Sequence, residues 1–177
     1  MLSSIDQPFV RAWRDSHQHK VADPQLAQEL FSYLDTFPWG TSRLEWENVP
    51  NTSVAFGDGD PQLSWVEHFS STPLKRHGFL MVAYAPAQEA LIGRTDEVLA
   101  DIDLLYAASP GPRYFCGADV SGDAVVLTVE DFAEFSDDGV RVHLKGSTRR
   151  AVEGGGGRGA AASGTGRGTA APRPGPT

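Results

Sequence analysis

The fold is decided by residues 113–144, RYFCGADVSGDAVVLTVEDFAEFSDDGVRVHL. Strand-forming residues run over Arg113–Gly117, Ala124–Val129 and Val140–Leu144, and turn-forming residues separate these runs. Asp137-Asp138-Gly139 is the strongest hairpin signal in the chain, because Asp–Gly pairs tolerate the positive φ angles of tight turns. The stretch therefore predicts three consecutive strands.

Outward from this stretch, apolar residues recur with helical spacing in three segments. Asp23 and Pro24 begin the clearest helix, which ends before Pro38. Thr95 begins a second helix, because its hydroxyl can cap the first turn and acidic residues follow it. A third helix is predicted over about Ser4–Ser16.

The remaining apolar runs predict further strands. Phe79–Tyr84 is almost wholly apolar, which is typical of a central, buried strand. Arg43–Val49 and the run with Val54 and Phe56 predict two short strands, and Asp60-Pro61 can open a short helix. Helices and strands come in blocks rather than in strict alternation. We therefore expect an α+β fold, an antiparallel or mixed sheet of about five to six strands with two or three helices packed on one face.

Composition divides the chain into a globular domain, residues 1–147, and a tail, residues 148–177. The tail holds nine Gly, six Ala and three Pro, and it cannot bury enough apolar surface to offset its ordering entropy. We expect it to be a disordered Gly/Ala/Pro/Arg-rich segment. A frameshift product, a linker that has lost its partner domain and a basic arm are the alternatives.

Charge favours a basic protein partner. Residues 1–147 carry 10 basic and 22 acidic side chains, a formal charge of −12, whereas the tail carries +4. Such an excess argues against nucleic-acid binding and attracts basic partners. The longest apolar run, Phe79–Ala85, is far shorter than the roughly 20 residues of a membrane span. With one cysteine, Cys116, and no signal peptide, we expect a cytoplasmic protein.

Two motifs suggest metal binding and fail in context. Asp119–Glu130 has oxygen side chains at calcium-loop positions, but Ala124 stands where the loop needs Gly, so a hairpin turn is the simpler interpretation. His17 and His19 would diverge on a helix, and their polar surroundings indicate a helix end. We predict no metal site.

Catalytic signals are similarly weak. His68 and His77 flank Ser70-Ser71-Thr72, but no strained nucleophile elbow surrounds these hydroxyls. No phosphate loop or dinucleotide fingerprint occurs in residues 1–147, so we predict no cofactor. A small enzyme or small-molecule binder with a pocket near His68, His77 and Trp65 is the alternative to a non-enzymatic protein. Cys116, in an aromatic strand, is expected to be inert.

The candidate partner-binding residues form an acidic–aromatic strip, Glu130, Asp131, Phe132, Glu134, Phe135, Asp137 and Asp138. Its two rings could be buried by a partner, or they could face the core. We expect a non-enzymatic protein-interaction module. Its sharper form is immunity- or antitoxin-like binding of a basic partner, since opposite potentials speed encounter and fix register.

Overall fold

A computed structural model describes residues 3–55, 68–106 and 111–145. The tail predicted from residue 148 and the helix predicted from Asp60 lie outside these residues, apart from helical residues 68–70. The strands are β1 (His19–Ala22), β2 (Asn51–Ala55), β3 (Phe79–Ala83), β4 (Ala90–Arg94), β5 (Arg113–Ser121), β6 (Ala124–Ser136) and β7 (Gly139–His143). They form one sheet in the order β1-β4-β3-β5-β6-β7-β2, with every pair antiparallel.

Four helices whose bounds lie within the described residues pack on this sheet. They are α1 (Pro8–Ser16), α2 (Pro24–Leu34), α3 (Thr95–Ala100) and α4 (Ile102–Tyr106), with 3-10 turns at Ser4–Asp6, Trp46–Asn48 and Pro73–Arg76. The predicted cap of α2 is confirmed, because the Asp23 carboxylate accepts a hydrogen bond from the Gln25 N–H at 2.8 Å. Within the described residues, no helix has the length and apolarity needed to cross a membrane.

The central strand β3 shows that the helices cover both faces of the sheet. Leu80 and Val82 pack in one apolar cluster with residues of α1, α3 and α4. Met81 and Ala83, which point the opposite way, pack in a second cluster with residues of α2. The antiparallel α+β fold is confirmed. The finer expectation is corrected, because the sheet has seven strands and its helices are not confined to one face.

Two strands lie where the sequence signals are weak. β1 forms one edge of the sheet, although the sequence around His17 and His19 indicates a polar helix end. It pairs with β4, and His19 lies opposite Gly93. β4 needs glycine at that position, since a Cβ on Gly93 would lie 2.5 Å from the Trp13 ring. The strand predicted over Arg43–Val49 is wrong, because a 3-10 turn at Trp46–Asn48 interrupts it.

The helix predicted from Thr95 is broken at Asp101 into α3 and α4. The Asp101 carboxylate faces α1, where it accepts a hydrogen bond from the Trp13 indole N–H at 3.1 Å. The His17 ring stacks on Trp13, with 4.6 Å between ring centroids, and its Nε2 lies 3.5 Å from the same carboxylate. Asp101 therefore ties the end of α1 to the α3–α4 junction.

Strand β6 continues past its predicted end at Val129 as far as Ser136, and a bulge interrupts its pairing with β5. Cys116 pairs with Phe132, but the next residue, Gly117, pairs with Thr128. Residues 129–131 therefore have no partner on β5, and the strand bends there. The His143 Nδ1 lies 2.7 Å from the Glu130 carbonyl oxygen, which ties the bulge to β7.

Candidate functional site

The predicted acidic–aromatic strip lies along the second half of β6 and the β6–β7 turn. Phe132 belongs to the apolar cluster under α2, whereas Phe135 belongs to the cluster on the opposite face. Both rings are at most 1% exposed. Both rings therefore lie in the core, which is the alternative to burial by a partner, and neither is available at the surface.

Asp131 lies in the bulge and is buried at 1% exposure. Its Oδ2 accepts hydrogen bonds from Arg76 Nη2 at 2.6 Å and Nε at 3.2 Å, and it lies 2.7 Å from His77 Nε2. Burial raises the pKa of this carboxyl, but the Arg76 and His77 contacts outweigh it and hold the pKa below its ordinary value. Asp131 therefore fixes the 3-10 turn at Pro73–Arg76 onto the sheet.

His77 reaches Asp131 because Gly117 leaves room for its ring. A Cβ at Gly117 would lie 2.4 Å from His77 Cδ2. Two of the hydroxyls that His68 and His77 flank, those of Ser71 and Thr72, donate to backbone carbonyls rather than to a histidine. Ser71 Oγ donates to the His68 carbonyl and Thr72 Oγ1 donates to the Phe69 carbonyl, as at an ordinary helix end.

The alternative prediction is a pocket near His68, His77 and Trp65. Of these three residues, Trp65 lies outside the described part of the chain. His68 is half-buried, and burial lowers its pKa. Its Nε2 is buried and has no hydrogen-bond partner in the part of the chain that the structure describes, while His77 contacts Asp131.

Glu134 is fully buried on the face covered by α2. Its Oε2 accepts a hydrogen bond from the Tyr114 hydroxyl at 2.9 Å, and its Oε1 lies 3.7 Å from Arg141 Nη1. Burial, and then the Glu134 charge, raise the pKa of Tyr114. This carboxylate is thus held between a tyrosine and an arginine inside the protein.

Asp138, in the β6–β7 turn, joins two arginines. Its carboxylate accepts hydrogen bonds from Arg141 at 2.9 and 3.1 Å, from Arg43 at 2.8 Å and from the Ser136 hydroxyl at 2.6 Å. The bonds from Arg141, then Ser136, hold its pKa far below the ordinary range. Since Arg43 comes from the segment after α2, Asp138 fastens that segment to the sheet.

The two other carboxylates of the strip also have partners within the chain. Glu130 pairs with the Lys145 ammonium, and Asp137 accepts a hydrogen bond from the Tyr106 hydroxyl. Burial, and then this bond, raise the pKa of Tyr106 to about 12. All five acidic members of the strip therefore have partners within the chain.

Acidic groups without an ion-pair partner among the described residues are found on the α2 layer, by which we mean Asp23, α2 and residues 35–49. Its carboxylates are Asp23, Glu29, Asp35, Glu45 and Glu47, and its single basic residue is Arg43. None of these five forms an ion pair with another described residue. Among the described residues, Asp23 and Glu45 accept only local hydrogen bonds, from the Gln25 N–H and from Asn48 Nδ2. A count along the sequence could have found this layer, because residues 21–74 contain eight acidic residues and only one basic one.

The motifs that suggested metal binding have structural roles. Asp119 and Asp123 flank the β5–β6 turn, where Gly122 takes a positive φ of 59°. His17 stacks on Trp13, while His19 lies in β1, where its Nε2 accepts a hydrogen bond from Arg14 Nε at 3.4 Å. The described residues contain no group of three or more side chains suited to hold a metal ion.

These features define the class of the protein as an α+β domain, built on a seven-stranded antiparallel sheet with helices on both faces. Neither a protein-family model nor a curated protein sequence matches the chain.

Proposed function

We propose that this chain is a non-enzymatic protein-interaction module whose α2 layer binds a basic protein partner. The observation that carries the proposal is the set of carboxylates on that layer. Asp23, Glu29, Asp35 and Glu47 are exposed, and Arg43, the one cation among them, is bound to Asp138. An acidic surface of this kind attracts a basic partner and sets the orientation of docking.

The sharper form of the proposal is an immunity- or antitoxin-like protein that neutralises a basic toxin in the cytoplasm. Its support is electrostatic, namely the formal charge of −12 on residues 1–147. Such a partner would cover the polar outer face of α2, where Gln25, Gln28 and Ser32 lie exposed between the carboxylates. Polar and acidic side chains there give hydrogen bonds and charge pairs to lysine and arginine.

The test is affinity capture from host lysate with the full chain as bait and elution in a salt gradient. A triple charge reversal on the α2 layer, Glu29→Lys, Asp35→Lys and Glu47→Lys, should abolish capture of the basic partner. A matched control, Asp15→Lys, Glu89→Lys and Asp103→Lys, changes the net charge equally at exposed sites outside the layer.

The two triple variants separate specific docking from bulk charge. Loss of one basic protein in the α2-layer variant and its retention in the control would support the proposal. Equal losses, or no basic protein retained by the unmodified chain, would reject it.

The original strip needs its own variant, since Glu130 and Asp137 still reach the surface. The pair Glu130→Gln and Asp137→Asn should leave capture by the full chain within about twofold, because both groups are already engaged within the chain. Strong loss of capture would return the binding site to the strip.

A second candidate, a small enzyme or small-molecule binder using His68, His77 and Trp65, is favoured by one observation. The contact between His77 Nε2 and Asp131 at 2.7 Å holds the imidazole in one orientation, as sites that use histidine require. Thermal-shift screens with metals and metabolites test it. A compound that stabilises the unmodified chain and not a His68→Ala variant would support this candidate, and no hit would reject it.

A further inference from the structure

A cleft of about 250 Å³ lies between the segment after α2 and the sheet. We call it the arginine cleft, and it is lined by Arg43, Leu44, Trp46, Glu47, Asn51 and Arg141. The first four come from the α2 layer, whereas Asn51 belongs to β2 and Arg141 to β7. One water molecule needs about 10–15 Å³ in the same measure, so the cleft has room for a small organic molecule.

The arginines of the cleft retain hydrogen-bond donors. Arg43 binds Asp138 through Nη1 alone, and Arg141 uses Nη1 and Nη2. Each guanidinium has five N–H donors, so Arg43 Nε and Nη2 and Arg141 Nε are not hydrogen-bonded to any residue that the structure describes. Asp138 holds both planes in place, which prepares them to receive a second carboxylate.

The wall of the cleft also contains an unsatisfied polar group. The indole N–H of Trp46 is buried and has no hydrogen-bond partner among the described residues, although Trp46 lines the cleft. Behind Arg141 and outside the lining of the cleft, Glu134 Oε1 also lacks a hydrogen bond to any described residue, at 3.7 Å from Arg141 Nη1. Buried polar groups are nearly always paired in folded proteins, so the unpaired indole N–H of Trp46 indicates an incomplete arrangement at the cleft.

The charges of the cleft select the chemical class of the ligand. Arg43 and Arg141 are balanced by Asp138 and Glu134, and Glu47 adds a further exposed carboxylate at the rim. A simple anion would therefore meet Glu47 without compensation. A molecule with a carboxylate and a nearby ammonium group matches both signs.

We propose that the arginine cleft is a binding site for a small zwitterion of the α-amino-acid class. Its carboxylate accepts hydrogen bonds from the free N–H groups of Arg43 and Arg141, and its ammonium group donates to Glu47. Leu44 and the Trp46 ring provide the apolar wall for its side chain. This site shares Glu47 with the α2 layer proposed to bind a partner, but its ligand is a free amino acid, so the titration below and the affinity capture above can each fail without the other.

The test is titration of the ¹⁵N-labelled full chain with the free amino acids, observed at the indole N–H signals. The chain has four tryptophans, so four such signals are expected, and a Trp46→Phe variant assigns the relevant one. Trp39→Phe is the matched assignment control, because the Trp39 N–H already donates to the Leu34 carbonyl at 3.0 Å. At least one amino acid should shift the Trp46 signal saturably, while the Trp39 signal stays in place.

The charge requirement is tested with N-acetyl amino-acid amides, which lack both charged groups. These should bind at least about tenfold more weakly than the free amino acid, since charge-assisted hydrogen bonds are lost. Arg43→Gln and Glu47→Gln should each weaken binding by about tenfold or more, whereas Lys75→Gln, an exposed charge change outside the cleft, should leave it unchanged. Saturation by no amino acid at concentrations up to about 10 mM would overturn the proposal, as would equal binding of the uncharged amides.

Discussion

The two helical layers of this protein both pack against the sheet, but they differ in charge. The α2 layer and the layer formed by α1, α3 and α4 each cover one apolar face of the sheet. The α2 layer has five carboxylates and one basic residue. The opposite layer, taken with residues 3–6, the turn at Pro73–Arg76, Arg94 and Asp101, has six acidic and five basic residues.

The two layers differ in their ion pairs as well as in their number of charged residues. On the three-helix side Arg14 pairs with Asp6, and Arg94 pairs with both Asp96 and Glu97. On the α2 layer the single basic residue, Arg43, pairs with a turn of the sheet instead. Since each layer buries an apolar face against the sheet, packing does not require this asymmetry. The difference teaches that the α2 layer carries a net charge of −4, from one basic and five acidic residues, and that its carboxylates form no ion pair with another described residue.

The largest effects on stability are expected from removing the aromatic ring that β6 contributes to each face of the sheet. Phe132→Ala and Phe135→Ala should each lower the free energy of unfolding by about 3–5 kcal/mol, because each opens a cavity in a filled core. Urea unfolding of the full chain measures both. A cost below about 1 kcal/mol for either ring would contradict its burial and return it to the surface strip.

A smaller effect is expected where α1 approaches β4. Gly93→Ala would bring a methyl group to 2.5 Å from the Trp13 ring and 2.9 Å from Val98, which should cost about 1–3 kcal/mol through overpacking. Gly78→Ala is the matched control, because nothing lies within 4 Å of its added Cβ. Equal thermal stability of the two variants would show that the three-helix layer does not pack closely on β4.

Acidification should lower the free energy of unfolding, because two carboxyl groups have lowered pKa values in the folded protein. Asp131 and Asp138 have pKa values below the ordinary 3.8, so the unfolded chain takes up protons first as the pH falls. Their contribution to stability is present above that value and is lost as the pH approaches each folded-state pKa. Asp138→Asn should flatten the decline in unfolding free energy between about pH 5 and pH 2. An unchanged slope would contradict the Arg43–Asp138–Arg141 arrangement.

The smallest effect is expected in the β3–β4 turn, which belongs to neither layer. Ala87 has a φ of 55°, in the left-handed region that disfavours a Cβ. Ala87→Gly should raise the unfolding free energy by up to about 1 kcal/mol, because relief of strain exceeds the added chain entropy. Thermal unfolding measures it, with Gly111 (φ 100°) changed to Ala as the opposite case. Destabilisation by the Ala87 change would show that the turn is not strained.

The sequence predicted those elements whose signal is local. The Asp23-Pro24 helix start, the apolar run of β3 and the Asp138-Gly139 turn each depend on neighbouring residues, and all three are confirmed. β1 and β4 were missed because four- or five-residue strands at a sheet edge and before a helix leave no periodic pattern. Helix α3 begins directly after β4, which conceals the boundary.

The candidate site was harder to predict because its contacts are distant in sequence. Arg76 and Asp131 are 55 positions apart, and Arg43 and Asp138 are 95 apart. Nothing local distinguishes these paired carboxylates from those of the α2 layer, which form no ion pair with another described residue. The acidic residues of the strip can be read directly from the sequence, but their internal partners depend on strand order, which periodicity does not give.

The bulge in β6 has the form of an insertion into an otherwise regular hairpin. Thr128 and Phe132 pair with adjacent residues of β5 and point to opposite faces, so joining them directly would preserve the pleat. The three intervening residues can therefore be excised in principle without moving any other side chain to the wrong face. What excision would remove is Asp131, and with it the anchor for Arg76 and His77. The segment is thus a local device for anchoring the turn at Pro73–Arg76, and the rest of the sheet does not need it for its register.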